Sequence, residues 1–205
     1  MAKTYFEVIF DTETKKFFDD ESGSDPSKLG VSIVSVYTRK LDDRLKEMDG
    51  KMQSFWEKDF PKMFKMIENA DRIIGFNSKG FDVPALSPYL PAHWEKLPHF
   101  DILDEIKKVV GKRVSLDSLA KATLGTKKND NGENAVKYWL THSKESLEKL
   151  KTYCEMDVAI TRDVYDFALK TGSLNYIDFW NETHEISLDF SYPKENASNV
   201  QSSLF

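Results

Sequence analysis

Three small groups of residues in this 205-residue chain combine types and spacings that chemistry can use. The first is Asp11-Thr12-Glu13, directly after the apolar run 5–10 (YFEVIF). Side chains alternate along extended backbone, so Asp11 and Glu13 point to one side, roughly 7 Å apart. Such a pair can share hard divalent cations; without a cation, mutual repulsion raises a pKa. The bland alternative is a strand ending in a polar turn. The second group is Asn77-Ser78-Lys79-Gly80-Phe81-Asp82, after the short apolar run 72–76 (RIIGF). Asp82 either caps the helix that follows or stands beyond the strand's C-terminal end, where α/β sheets place ligands. The third group is Tyr153 and Asp157, four apart on a helical stretch and therefore on one face. They bring a hydroxyl and a carboxylate into one space, or else a tyrosine packs against a sheet beside a solvated aspartate.

The elements that must position these groups follow from patterning. Residues 5–10 are aromatic and β-branched and predict a strand. A polar stretch with Asp19, Asp20, Glu21, Gly23 and Pro26 predicts a loop. Residues 31–37 (VSIVSVY) alternate and predict a second strand, while the charged segment 41–51 fits a third strand or a hairpin. Phe55, Met63, Phe64 and Ile67 predict a helix over 53–70. A short strand follows over 72–76, then a helix over 82–90 ending near Pro91. Ile102, Leu103, Ile106 and Val109 predict one face of a helix over 101–110, and Ser115 predicts the cap of a helix over 115–124. Residues 125–134 form a polar loop and 135–140 a short helix. A long helix over 144–170 is closed by Gly172. Two short strands are expected near 174–177 and 186–190, before a polar, flexible tail. The order implies an α/β domain with a mixed central sheet over 1–190 and a tail over 191–205.

Composition excludes several classes. Apolar residues make up 40% and charged residues 31%, a globular balance. A net charge of −5 excludes a broadly basic nucleic-acid coat but leaves room for a local basic rim. One cysteine, Cys154, excludes a disulfide framework and a multi-thiolate zinc site. It reads as a small buried residue rather than a nucleophile. His93, His99, His142 and His184 are scattered, away from ligand spacing. No apolar run is long enough to span a membrane, and no signal core opens the chain, so a cytoplasmic protein is expected.

The three groups together, in this order, resemble the DEDD superfamily of 3′–5′ exonucleases, which have the RNase H-like fold. The likeness is to the tyrosine branch (DEDDy) and covers about residues 4–170. It is closest in kind to stand-alone relatives of the family B DNA polymerase proofreading domain. FDTET matches the first motif, NSKGFD the second and YCEMD the third. His142 lies too far before Asp157 for the histidine-type third motif. The resemblance implies an RNase H-like α/β fold with a mixed central β-sheet flanked by helices. It implies that Asp11, Glu13 and Asp157 hold one metal, and that Asp11 bridges to a second one supported by Asp82. Tyr153 would orient or help deprotonate the attacking water. Two cations would clamp the attacking and leaving oxygens of a phosphodiester, and a carboxylate set selects Mg²⁺ or Mn²⁺. The implied reaction is hydrolysis of terminal phosphodiesters of single-stranded DNA to 5′-mononucleotides, with RNA as the alternative substrate.

Thr12, Asn77 and Phe81 are the expected substrate contacts, Phe81 by stacking on an unstacked base or else by packing the helix start. Lys127, Lys128, Lys137 and Trp139 offer a basic loop beside an aromatic, or an ordinary solvated loop. Asp101 and Asp104 are supporting carboxylates or helix caps. The C-terminal Gln201-Ser202-Ser203-Leu204-Phe205 resembles the peptide with which bacterial replication and repair proteins bind the sliding clamp, Gln201, Leu204 and Phe205 being the anchors. Two rival functions remain at this stage: a non-catalytic adaptor for nucleic-acid ends or a clamp, and a structure-specific endonuclease.

Overall fold

The computed structural model describes residues 3–19, 23–89, 91, 94–126 and 132–192. His93, Lys127, Lys128 and the clamp-like anchors Gln201, Leu204 and Phe205 lie outside the described residues. Five strands form the central sheet: β1 (Tyr5–Thr14), β2 (Val31–Leu41), β3 (Glu47–Trp56), β4 (Arg72–Gly75) and β5 (His99–Asp101). Their spatial order is β3-β2-β1-β4-β5. β1 pairs antiparallel with β2 and parallel with β4, and β4 pairs parallel with β5. The helices are α1 (Phe60–Ile67), α2 (Asp82–Leu86), α3 (Ile102–Val110), α4 (Leu116–Leu119), α5 (Gly132–Thr141) and α6 (Lys144–Thr171). A separate antiparallel hairpin, β6 (Ser173–Ile177) and β7 (Thr183–Ser187), follows α6. The expected mixed α/β sheet flanked by helices is therefore present.

β1 lies in the middle of the sheet and buries both faces. Val8 and Phe10 pack with Phe60, Met63, Phe64, Ile67 and Trp94. Ile9 faces the other way, towards Ile102, Ile106, Val158 and Tyr165. α6, at 28 residues and so about 42 Å long, crosses that second face. Ser143 caps it, accepting from the Ser146 amide, and Gly172 ends it in the left-handed region at φ 74°. An ionic cluster centred on the buried Arg39 and Glu7 ties it to the sheet. Arg39 of β2 donates to Glu7 of β1 at 2.8 Å and to Asp166 of α6 at 2.6 and 2.8 Å. Glu7 is fully buried and also accepts from the Tyr165 and Tyr192 hydroxyls.

Several local expectations are corrected. β1 continues to Thr14, so Asp11 and Glu13 stand within the strand rather than after it. The predicted helix over 53–70 is instead the end of β3, one 3₁₀ turn over Glu57–Asp59, and α1. Phe55 and Trp56 pair with Val34 and Ile33 of β2, and that ladder overrides the helical spacing. Pro61 sits in the first turn of α1, the position a helix tolerates. Helix 82–90 is α2 followed by a 3₁₀ turn, Ser87–Tyr89. Residues 99–101 form β5, and Val109 is exposed rather than on the buried face of α3. Ser115 caps α4 as expected, but residues Ala120–Leu124 continue as a π-helical turn. β7 starts and ends earlier than the strand expected over 186–190.

Candidate active site

The alternation of β1 distributes its motif between two faces. Glu7, Ile9, Asp11 and Glu13 share the α6 side, and Thr12 lies on the opposite side with Phe10, towards α2. On α6 the buried stripe runs Leu150, Tyr153, Cys154, Asp157, Val158 and Thr161, at helical spacing. The two elements thereby bring Asp11, Glu13 and Asp157 together, with one ligand atom from each lying within 4.8 Å of the others. Asp157 is only 5% exposed, so the solvated-aspartate alternative does not hold. The Tyr153 hydroxyl is hydrogen-bonded with the Asp157 side chain. Burial, together with the charges of Asp157, Glu13 and Asp11, pushes its ionisation far above the ordinary range. Tyr153 is thus a neutral phenol, a donor aimed at the carboxylate group.

The second motif approaches from β4. Gly75 ends that strand where a Cβ would come within 2.5 Å of the Ser78 side chain, so the chain folds back tightly there. Asn77 follows in the left-handed region at φ 60°. Asp82 is the first residue of α2, after Phe81 at the cap position, and its side chain does not cap the helix. The capping alternative is therefore corrected. Asp82 is 3% exposed, and its Oδ1 has no hydrogen-bond partner among the described residues. Burial, with the nearby charge of Asp101 adding, raises its carboxyl to about 7, against the pull of Thr12. A buried carboxyl oxygen with nothing to accept from suits a cation or a bound water.

Asp11, Thr12, Glu13, Asn77, Phe81 and Asp82 line one open cavity of about 350 Å³. Tyr153 borders a neighbouring groove with Tyr138 of α5. Sequence reasoning missed two members of the cavity wall, Phe17 and Phe18, which it assigned to a polar loop. Both are about half exposed, and Phe18 meets Phe81 edge-on at 6.2 Å. Two adjacent aromatics just beyond the first carboxylates were the available signal. Trp139 is engaged elsewhere, stacked on Trp56 at 6.4 Å with the Lys15 ammonium over its ring. Cys154 is buried, with Sγ 3.5 Å from the Asp11 carbonyl, and burial holds its thiol well above the usual range. It is a buried residue, as expected.

Asp101 caps α3, accepting from the Leu103 and Asp104 amides. The same carboxylate also accepts from the Asn77 and Lys79 amides at 2.8 and 2.9 Å. It is fully buried. Both readings of Asp101 thus apply: it is a helix cap and it supports the second motif. Asp104 lies between Lys79 and Lys107, at 3.9 and 3.7 Å.

The carboxylates are all-oxygen donors from three segments that converge only in the folded sheet, an arrangement suited to Mg²⁺ or Mn²⁺. No curated protein matches the chain significantly in sequence. A family model described as RNase_H superfamily matches residues 8–169. That span opens within β1, before Asp11, and closes near the end of α6, beyond Asp157, so it takes in the central sheet and all three carboxylate-bearing segments. By that match the chain belongs to the RNase H superfamily.

Proposed function

We propose that this protein is a metal-dependent 3′–5′ exonuclease of the tyrosine branch, releasing 5′-mononucleotides from single-stranded DNA in repair or replication. Members of the RNase H superfamily are typically nucleases, which supports the reaction class. The observation that carries the reading is the meeting of Asp11, Glu13 and Asp157 within 4.8 Å, with Tyr153 bonded to Asp157. Asp11, Glu13 and Asp157 would hold one divalent cation, and Asp82 would support a second with Asp11. Bound there, the cations supply Lewis-acid stabilisation of charge on the attacking and leaving oxygens.

The chain's own groups do the rest. Tyr153, hydrogen-bonded with Asp157, orients the attacking water or helps to deprotonate it. Phe18 and Phe81 form an aromatic wall on which a terminal base stacks without sequence preference. Asn77 and Thr12 hold the terminal nucleotide from the same cavity. Residues 1–190 act as the nuclease domain, and the tail over 191–205 recruits a sliding clamp through Gln201, Leu204 and Phe205. Among the described residues no helix is long and apolar enough to cross a membrane.

The test is degradation of 5′-labelled single-stranded DNA and RNA of one sequence, with Mg²⁺, Mn²⁺ or EDTA. A metal-dependent ladder receding from the 3′ end, faster on DNA and absent in Asp157→Ala, is expected. Faster loss of the RNA would reassign the substrate. Cleavage of a circular single strand at a comparable rate would replace end-directed hydrolysis by an endonuclease. No cleavage of any substrate would leave the adaptor reading.

A further inference from the structure

We propose that the outer face of α3 and the tip of the β6–β7 hairpin form an accessory track for single-stranded nucleic acid, leading away from the carboxylate cavity. The proposal rests on the nuclease reading above, but on residues that reading does not use. Phe179 and Trp180, at the hairpin tip, are 92% and 77% exposed and meet edge-on at 5.3 Å. The tip is held rather than loose. The Asp178 carboxylate accepts from the Trp180 and Glu182 amides, both at 2.9 Å, and pairs with the His184 ring at 2.8 Å. Those bonds explain the Asp178-Glu182-His184 cluster as turn chemistry, and they fix two large aromatic faces in water.

Charge links the end of α3 to this hairpin. The chain is acidic overall, yet its segment 107–113 (KKVVGKR) carries four cations and no carboxylate. At one end, Lys79 of the second motif and Lys107 of α3 flank Asp104. At the other, the Lys112 ammonium lies 5.3 Å over the ring of Tyr176, which stacks on His184 at 5.1 Å. Cations thus stand on both sides of this stretch, Lys79 and Lys107 about Asp104 and Lys112 against the hairpin, with Lys108 paired to Glu105. Cations beside aromatic faces are what binds single strands: cations meet phosphates, and aromatic faces take successive bases. Glu182 and Glu185 occupy the hairpin as well, so the phosphates lie on the α3 side and the bases on Phe179 and Trp180.

The test compares the full chain with Phe179→Ala/Trp180→Ala, Trp180→Phe and Lys107→Glu/Lys112→Glu. Fluorescein-labelled dT4, dT20 and U20 are titrated in EDTA, and hydrolysis of dT4 and dT20 is followed in Mn²⁺. The double alanine variant should bind dT20 and U20 about tenfold more weakly and raise KM for dT20 with kcat unchanged. Its hydrolysis of dT4 should match the wild type, and Trp180→Phe should retain dT20 affinity. The charge variant should flatten the dependence of dT20 affinity on salt, since each lost phosphate contact lowers that slope by roughly 0.7. Unchanged dT20 and U20 affinity in the alanine variant, with dT4 still hydrolysed, would overturn the track alone. A wild type that neither binds nor hydrolyses any oligonucleotide would overturn the nuclease reading and the track with it.

Discussion

Asp101 fixes the loop that presents Asp82, one of the candidate metal ligands. Its two oxygens take four backbone N–H groups: Asn77, Lys79, Leu103 and Asp104. Oδ2 serves Lys79 alone, and Oδ1 serves the other three. Asp101→Asn can keep the Oδ1 set but turns an amide N–H₂ against the Lys79 N–H. A buried donor left without an acceptor costs about 1–3 kcal/mol. We therefore expect a stability loss of that size in urea denaturation with an unchanged m-value, and a larger one for Asp101→Ala. Because Asn77 and Lys79 precede Phe81 and Asp82, activity on single-stranded DNA should also fall, on the order of tenfold for a misplaced loop. Full activity in Asp101→Asn would mean that the loop holds its own shape. At this scale the sequence was informative where chemistry is local. Asp11 and Glu13 were paired by strand alternation, and Tyr153 and Asp157 by helical spacing. The cap role of Asp101 was visible for the same reason. Its grip on Asn77 was not, because the partner belongs to another element. Phe17 and Phe18 were overlooked because acidic neighbours dominated the reading of their loop.

At the scale of elements, β5 is the shortest strand among the described residues and was not anticipated, since three residues carry no periodicity. His99 opens it, pairing with Ile73 of β4. Its Nε2 lies 3.2 Å from the Trp94 carbonyl, and its Nδ1 is buried with no partner among the described residues. Burial of the ring, with the Lys79 charge adding, lowers its pKa below 6.5 against the pull of the Trp94 carbonyl and Asp101. The unfolded chain therefore binds a proton just below pH 6.5 while the folded chain does not. This contribution is present in full above pH 6.5 and is lost as the pH falls through the window down to the folded pKa. The Asp82 carboxyl, raised by burial, titrates with the opposite sign in the same window, so the test is a difference: between pH 7.5 and 5 the urea midpoint of the wild type should fall relative to that of His99→Phe. Parallel pH curves for the two proteins would show that His99 does not couple to folding. The neighbouring misreading has a comparable origin. Phe55 fits both a helical face and a strand ladder, and only pairing with Val34 decides between them. Pro61 was a legible stop signal inside the predicted helix and should have moved its start.

For the whole molecule, the carboxylate site is a coupling between distant parts of the chain. β1 contributes Asp11 and Glu13 and α6 contributes Asp157, so the site exists only when α6 is docked on the sheet. The α/β class could be read from the order of patterns, whereas the position of β1 between β2 and β4 could not, because it is set by pairings remote in sequence. Docking brings negative charges together. Ionised carboxylates whose oxygens lie within 4.8 Å of one another repel by at least about 3 kcal/mol at an effective dielectric near 20. The metal-free fold bears this cost, offset by the surrounding core and by the Arg39 cluster that holds α6 to β1 and β2. A cation that binds only the docked state returns stability by mass action, about 2.7 kcal/mol at a hundredfold excess over its Kd. For a chain of this length that corresponds to a rise in Tm of roughly 5–10 °C. Thermal unfolding in EDTA and in saturating Mn²⁺ should differ by this amount. Asp157→Asn removes one charge from the group, so its Tm in EDTA should exceed that of the wild type. The same variant should lose most of the response to Mn²⁺. A wild-type Tm indifferent to Mn²⁺ would mean that the three carboxylates are held by the protein alone and that the site binds no cation.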